Sequence, residues 1–351
     1  MSISELDTLI DLVIKENASD LHLSEDRVPL LRIGGQLVPL SKHEKLSRPI
    51  MEKILDGLLS PMKKKSFETI QSADFAYTYK TERFRSHLFL DRQKICIAFR
   101  HIAKKVPTLS ELNLPDALAS FAHLKSGFFL VVGPTGHGKS TTLASLVQMI
   151  NEERLENIIT IEDPIEYIFV PQKSVIHQRE VGTDTPSFAS ALHDSFRADV
   201  NVIMVGEMRD QDTISTAVTA AETGHLVFST LHTNTAAQTI ERIIDSFPSH
   251  QQNQIRIQLA SSLSGIFSQR LVPKISGGLV PIFELLINNV AVANLIRDNR
   301  THEINTVIET GTDAGMIDFN RCLADRVRTG LVSVESAYLY SRDPRSLEKL
   351  L

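Results

Sequence analysis

The chain of 351 residues is long enough for two or three domains, and its 42% hydrophobic and 23% charged residues match ordinary globular usage, which excludes wholesale disorder. A formal net charge of −5 argues against a nucleic-acid binder, which carries a basic excess or stripe. Two distant cysteines, Cys96 and Cys322, make neither a CxxC pair nor a zinc spacing, so the expected compartment is reducing and intracellular.

The opening Met-Ser-Ile-Ser-Glu-Leu-Asp lacks the basic stretch of a signal peptide, and no apolar run approaches the ~20 residues of a membrane span. The expectation is a soluble protein that meets a membrane only through partners. Residues 3–16 place Ile3, Leu6, Leu9, Ile10 and Val13 at helical spacing and predict a short amphipathic helix. Strand-like pieces follow at Asp20–Ser24, Pro29–Ile33 and, after the Gly34-Gly35 turn, Gln36–Leu40. Residues 48–70 read as helical and 74–102 as strands. A linker is expected at 103–115, which carries two prolines among polar spacers.

Residues 82–102 fold on paper as a hairpin turning at Arg92-Gln93, although Arg-Gln is not a favoured turn pair. Leu90 then faces Ile95, Leu88 faces Ile97 and Ser86 faces Phe99, giving one mainly apolar face. On the other face Arg85 stands opposite Arg100, with Arg83 nearby. Like charges across strands are unfavourable unless an anion lies between them, so the pair reaches for a phosphate or is solvated surface charge.

After residue 116 the rhythm is strand, loop, helix. Short apolar runs at Phe128–Val132, Ile158–Ile161, Val202–Val205 and Leu226–Ser229 alternate with helical segments and predict an α/β domain on a largely parallel sheet. From 284 onward the period reads as mostly helical.

The first of these runs enters Gly133-Pro134-Thr135-Gly136-His137-Gly138-Lys139-Ser140-Thr141, which fits the phosphate-loop pattern of Gly, four residues, Gly-Lys-Ser/Thr. Glycines let backbone N–H groups curl round the β-phosphate, Lys139 reaches the β- and γ-oxygens, and the Ser140 hydroxyl holds Mg²⁺. The next helix buries Leu143, Leu146, Val147 and Ile150 on one face and points its positive end at the phosphates. The ligand read from these residues is ATP with Mg²⁺.

Two further strands end in carboxylates, Thr160-Ile-Glu162-Asp163-Pro164-Ile-Glu166 and Val205-Gly206-Glu207-Met-Arg209-Asp210. Ligands of open parallel sheets sit at the carboxyl ends of strands, so Glu162 and Glu207 are placed for one to activate water and the other to hold Mg²⁺ through water. Glu166 and Asp210 are as readily surface charge or helix caps. The fourth strand ends Ser-Thr230-Leu231-His232-Thr-Asn234; with no zinc spacing between His225 and His232, His232 senses a γ-phosphate or is a satisfied structural histidine.

With these residues in place, nearly the whole chain resembles the type IV pilus retraction ATPases of the secretion ATPase superfamily. Ala18-Ser-Asp-Leu-His-Leu-Ser is similar to the family's opening motif and Gly133–Thr142 to its phosphate loop. Ile161–Glu166 is similar to its Asp box, Val205–Asp210 to its Walker B element and Thr223–Asn234 to its His box. Gln269–Pro273, Asn294–Arg297 and Thr310–Met316 resemble its C-terminal segments. The resemblance implies a PAS-like α+β domain over 1–102 and a RecA-like P-loop ATPase domain over 116–351 with a helical C-terminal region. It implies a homohexameric ring at the cytoplasmic face of the inner membrane, powering pilus retraction and twitching motility against a membrane platform protein. Glu162 becomes the catalytic carboxylate and Glu207 the Walker B acid. His232 approaches the γ-phosphate, and Arg85 and Arg100 contact phosphate.

The chain departs from that pattern in three places. His137 replaces the usual Ser, with a side chain that need not contact phosphate. Arg197-Ala-Asp199-Val200-Asn201 lacks the usual Asp-Pro-Asp. Ala291-Val-Ala-Asn-Leu lacks the arginine of a stretch tied to retraction. An accessory paralogue working beside another retraction ATPase, a type IV secretion ATPase and an ATP-binding adaptor subunit are therefore rival readings. Intact Lys139, Glu162 and Glu207 speak against the adaptor, and the acidic balance against a nucleic-acid translocase.

Overall fold

The computed structural model describes residues 3–80, 82–102 and 105–351. Met1 and Ser2 of the opening reading, and Ala103 and Lys104 of the expected linker, lie outside the described residues. By contacts the chain divides into two compact units. One comprises Met1–Lys105, Glu162–Phe169 and Gln178–Ser187; the other comprises Val106–Ile161, Val170–His177 and Phe188–Leu351.

The first unit is an α+β sandwich. It opens on α1 (Ile3–Lys15), whose Leu6, Leu9, Ile10 and Val13 fall on one stripe and are all buried. Strands β1 (Asp20–Ser24), β2 (Leu30–Ile33) and β3 (Gln36–Pro39) follow. The helical stretch 48–70 is two helices, α2 (Arg48–Leu58) and α3 (Pro61–Ile70). Pro61 lacks the N–H that would continue the first helix but suits the first turn of the second, where Ser60 caps the Lys63 N–H. Strands β4 (Ser72–Tyr79), β5 (Glu82–Asp91) and β6 (Lys94–Ile102) complete an antiparallel sheet of order β3-β2-β1-β6-β5-β4. The β5–β6 register pairs Leu90 with Ile95, Leu88 with Ile97, Ser86 with Phe99 and Arg85 with Arg100, as the hairpin arithmetic expects. Arg92 and Gln93 turn it with φ of 50° and 65°, the left-handed pair that a two-residue loop requires. Phe84, Leu88, Ile97 and Phe99 point into the core with Leu21, Leu23 and Met51.

The second unit opens with the segment expected to be a linker, and that segment is packed rather than loose. Val106, Leu109 and Leu114 are buried, and the Pro107 carbonyl accepts from the Ser145 hydroxyl at 2.7 Å. Next come α4 (Ala119–Ala122), β7 (Gly127–Val132), α5 (Lys139–Glu153), β8 (Asn157–Glu162) and β9 (Val175–Glu180). Then follow α6 (Phe188–Ser195), β10 (Val202–Val205), α7 (Gln211–Glu222), β11 (Leu226–Leu231), α8 (Ala236–Asp245) and α9 (Ser249–Ser262). Strands β12 (Leu263–Pro273) and β13 (Leu279–Ile287) precede α10 (Val290–Arg297), α11 (Ile304–Thr310), α12 (Phe319–Arg328), α13 (Val334–Tyr340) and α14 (Pro344–Leu350). The sheet order is β13-β12-β7-β11-β10-β8-β9, with β12, β7, β11, β10 and β8 mutually parallel and β13 antiparallel at the edge. β7, β10 and β11 are buried along their whole length, as strands covered on both faces must be. The C-terminal helices start at Val290 rather than near 284, because residues 284–287 close β13 against β12. A continuous apolar run such as Leu285-Leu286-Ile287 carries no period that separates strand from helix.

Candidate nucleotide-binding and catalytic site

The phosphate loop joins β7 to α5, and its shape is set by glycines. Gly133, Gly136 and Gly138 take φ of 146°, 79° and 82°. Gly138 is the N-cap of α5 and brings no side chain to the helix, so the first-turn amides point outward without a side-chain cap. That is the cradle a phosphate fits. A Cβ on Gly133 would lie 2.2 Å from the Gln269 carbonyl oxygen, so loop and β12 meet backbone to backbone.

Around the loop the second unit brings together four of the expected residues. The Lys139 ammonium donates to the Gly133 and Pro134 carbonyls at 2.9 and 3.0 Å and stands 3.4 Å from His232 Nδ1. The Thr135 hydroxyl lies 3.3 Å from the same nitrogen. On its other side His232 Nε2 is 3.4 Å from Glu207 Oε2, and Glu207 Oε1 is paired with Arg209. One tautomer serves all these contacts, with Nδ1 accepting and the Nε2–H donating to Glu207. His232 reaches this place because β11 ends in hydroxyls that bind the neighbouring turn: Ser229 donates to the Val205 carbonyl at 2.8 Å and Thr230 to the Gly206 carbonyl at 2.6 Å. Ser140 is exposed on the first turn of α5. Its hydroxyl and the Glu207 carboxylate are oxygen donors, the type of ligand that Mg²⁺ takes.

His137 has a structural post. Its Nδ1 accepts the Leu271 N–H at 2.8 Å, and its carbonyl accepts from Gln269 Nε2 at 2.8 Å. Burial, then Arg270 and Lys139, hold its pKa below the usual imidazole value, consistent with a ring that must stay neutral to accept. Gln269 is a residue that the sequence did not single out as part of the site: its other amide atom, Oε1, accepts from the Thr142 hydroxyl at 2.7 Å, so one buried amide ties loop, helix and β12. Asp210 caps α7, accepting from the Thr213 N–H at 2.9 Å.

The remaining expected residues lie in the first unit. Glu162 is the last residue of β8; one position earlier Ile161 still pairs with Val205 of β10. Its buried carboxylate accepts from Gln178 Nε2 at 3.3 Å and from the Glu166 N–H at 3.4 Å. Arg85 and Arg100 face one another in the sheet but bind acids: Arg85 reaches Glu166 at 2.8 Å and Arg100 reaches Asp20 at 3.0 Å. Arg83 binds Glu180 at 3.2 Å and the Ile165 carbonyl at 3.3 Å. Nothing in the sequence pointed to Glu180, which is 97 residues from its partner.

Comparison with known proteins points one way. The family model described as "Type II/IV secretion system protein" matches residues 92–314. The "Type IV pilus retractation ATPase PilT" of Pseudomonas aeruginosa is 38% identical, over 97% of this chain and 99% of that protein. The "Type IV pilus ATPase PilU" of the same organism is 35% identical, over 99% of this chain and 91% of that protein. A crystal structure of the pilus retraction motor PilT with bound ADP superposes with a TM-score of 0.90 at 43% identity, covering 99% of both chains.

Proposed function

We propose, since the chain belongs to the type II/IV secretion system protein family, that it is the ATP-hydrolysing subunit of a motor that withdraws type IV pili. The reaction is ATP + H₂O → ADP + phosphate. The observation that carries this is the hydrogen-bonded series Thr135/Lys139–His232–Glu207 at the uncapped start of α5. The loop amides and Lys139 bind the phosphates. Ser140 and, through water, Glu207 would hold Mg²⁺, which neutralises phosphate charge when bound. Glu162 takes the proton of the attacking water and His232 reports the γ-phosphate to the Glu207 turn.

Arg85 and Arg100 supply phosphate contacts to a neighbouring subunit in a homohexamer at the cytoplasmic face of the inner membrane, where the ring works on a pilus platform protein. Both side chains are exposed, at 43% and 69%, and the buried Asp20 that Arg100 would leave keeps the Ser19 hydroxyl at 2.8 Å and Arg32 at 3.8 Å, so the exchange strands no bare carboxylate there. The stretch Ala291-Val-Ala-Asn favours a second reading, an accessory role beside a paralogous retraction ATPase. Ala293 lies buried on α10, where the familial pattern carries an arginine. Among the described residues no helix is long and apolar enough to cross a membrane.

The test is turnover of purified protein with Mg-ATP. Glu162→Gln keeps nucleotide affinity while kcat falls by about 10²–10⁴. Collapse of affinity without loss of kcat in the remaining complex reassigns Glu162 to binding, and wild-type protein that binds ATP without turnover returns the adaptor.

A further inference from the structure

The loop after β11, from His232 to the start of α8, is held in place by residues from the far end of the sequence. Arg342 lies between α13 and α14. One arm of its guanidinium donates to the Asn234 carbonyl, and the other binds Glu284 Oε2 at 2.6 Å. The Arg342 Cζ lies over the Phe319 ring, 4.1 Å from the centroid. Glu284, buried on β13, turns its second oxygen to the Ala236 N–H at 2.9 Å and the Ser268 hydroxyl at 3.3 Å. Arg270 of β12 takes the Asn234 side chain at 2.8 Å. Asn234 and Ala236 are thus fastened from outside the loop, two and four residues after His232.

The segment carrying Arg342 is itself fastened. Buried Asn320 of α12 accepts from the Ser341 hydroxyl at 2.9 Å and donates to the Asp343 carbonyl at 2.9 Å. Burial works to lower the Arg342 pKa and Glu284 opposes it, as expected of a charge kept in place by one dedicated partner. A planar fork that bridges a carbonyl and a carboxylate while stacking on a ring is a task that lysine cannot perform.

We propose that Arg342, acting through Glu284 and Asn234, is a positioning residue for His232, so that the C-terminal helices govern turnover without taking part in nucleotide binding. This rests on the functional reading above for what His232 does, but not for where it is held. A partner or a neighbouring subunit that shifts the α13–α14 junction would loosen the histidine and leave the phosphate loop intact.

Arg342→Lys keeps the charge and loses the fork. It is expected to lower kcat about tenfold with ADP affinity unchanged, since small misplacement of a reacting group costs rate before binding. In a His232→Ala background the same substitution is expected to add nothing, because its effect passes through the missing ring. Hydrogen exchange gives a readout independent of turnover: amides of residues 233–236 exchange faster in Arg342→Lys, and those of 133–141 do not. Additive losses in the double variant, ADP affinity falling with kcat, or exchange at 233–236 equal to wild type each overturn the proposal. Wild-type protein without ATPase activity refutes the functional reading, and the exchange comparison still decides the positioning role.

Discussion

At the phosphate loop the geometry is made by backbone. Three glycines hold positive φ, the α5 amides stand without a side-chain cap, and Gly133 sits so close to β12 that a single added carbon would strike the Gln269 carbonyl. On the arginine face of the first unit the geometry is made mainly by side chains: Arg85 on Glu166, Arg100 on Asp20, and Arg83 on Glu180 and the Ile165 carbonyl. A backbone site has one shape and tolerates no change of residue at its turns. Arg85 and Arg100 are exposed, and an ion pair with an exposed member has little intrinsic strength, so these two are free to trade one anion for another, whereas Arg83 is held on the buried Glu180. The contrast suits a motor, in which one side of the chemistry stays fixed while the other is made and unmade.

The largest expected effect breaks the fixed side. If Lys139 serves bound phosphate and transition state alike, as proposed, Lys139→Ala weakens ATP binding and lowers turnover by about 10³-fold. Near wild-type hydrolysis in that variant would end the assignment of the loop. A smaller effect sharpens the exchangeable side. Arg85→Ala or Arg100→Ala retains nucleotide binding and loses about 10²-fold in turnover if the arginines serve a neighbour's phosphate. Mixing Arg100→Ala with Lys139→Ala subunits then restores part of the activity, because some interfaces pair an intact loop with an intact arginine. Full activity of Arg100→Ala in dilute, monomeric protein would reduce these arginines to surface charge.

The smallest effect tests how firmly the loop is fastened to β12. The folded pKa of His137 lies below its usual 6.5. The unfolded chain therefore takes up a proton that the folded chain refuses, and stability rises with pH across that window. The contribution is complete above about pH 6.5 and is lost as pH falls from there toward the folded value. Acidifying from about pH 7.5 to 5.5 lowers the wild-type Tm about 1–2 °C more than that of His137→Asn, whose amide oxygen accepts the Leu271 N–H at either pH. Parallel curves for the two proteins would show that the Leu271 bond contributes nothing.

The same contrast separates what was legible in the sequence from what was not. Gly133–Thr141 announces itself because backbone geometry demands particular residue types at fixed spacing. The β5–β6 register is legible because alternation and turn position fix it together. Gln269, marked only as part of the familial segment Gln269–Pro273, and Glu284 and Arg342 carry no local signal of what they do: their partners are the carbonyl of His137, the N–H of Ala236 and the carbonyl of Asn234, groups that every sequence possesses. A lone acid in the apolar run Val280–Ile287 is the one hint available for Glu284. The start of the C-terminal helices is hidden there for the related reason that an unbroken apolar run carries no period.

The first unit is not closed by the first hundred residues. Arg83 and Arg85 find their acids on segments Glu162–Phe169 and Gln178–Ser187, made after the phosphate loop has been threaded into the chain. A chain emerging from the ribosome folds from its N-terminus at about 5–20 residues per second. Its leading unit must therefore wait several seconds, holding Arg83 and Arg85 of β5 without their acids, until residue 187 arrives, whereas Arg100 of β6 already has Asp20. A fragment cut at residue 105 would leave Arg83 and Arg85 without Glu180 and Glu166, so the natural place to divide this protein for expression is not where its sequence first pauses.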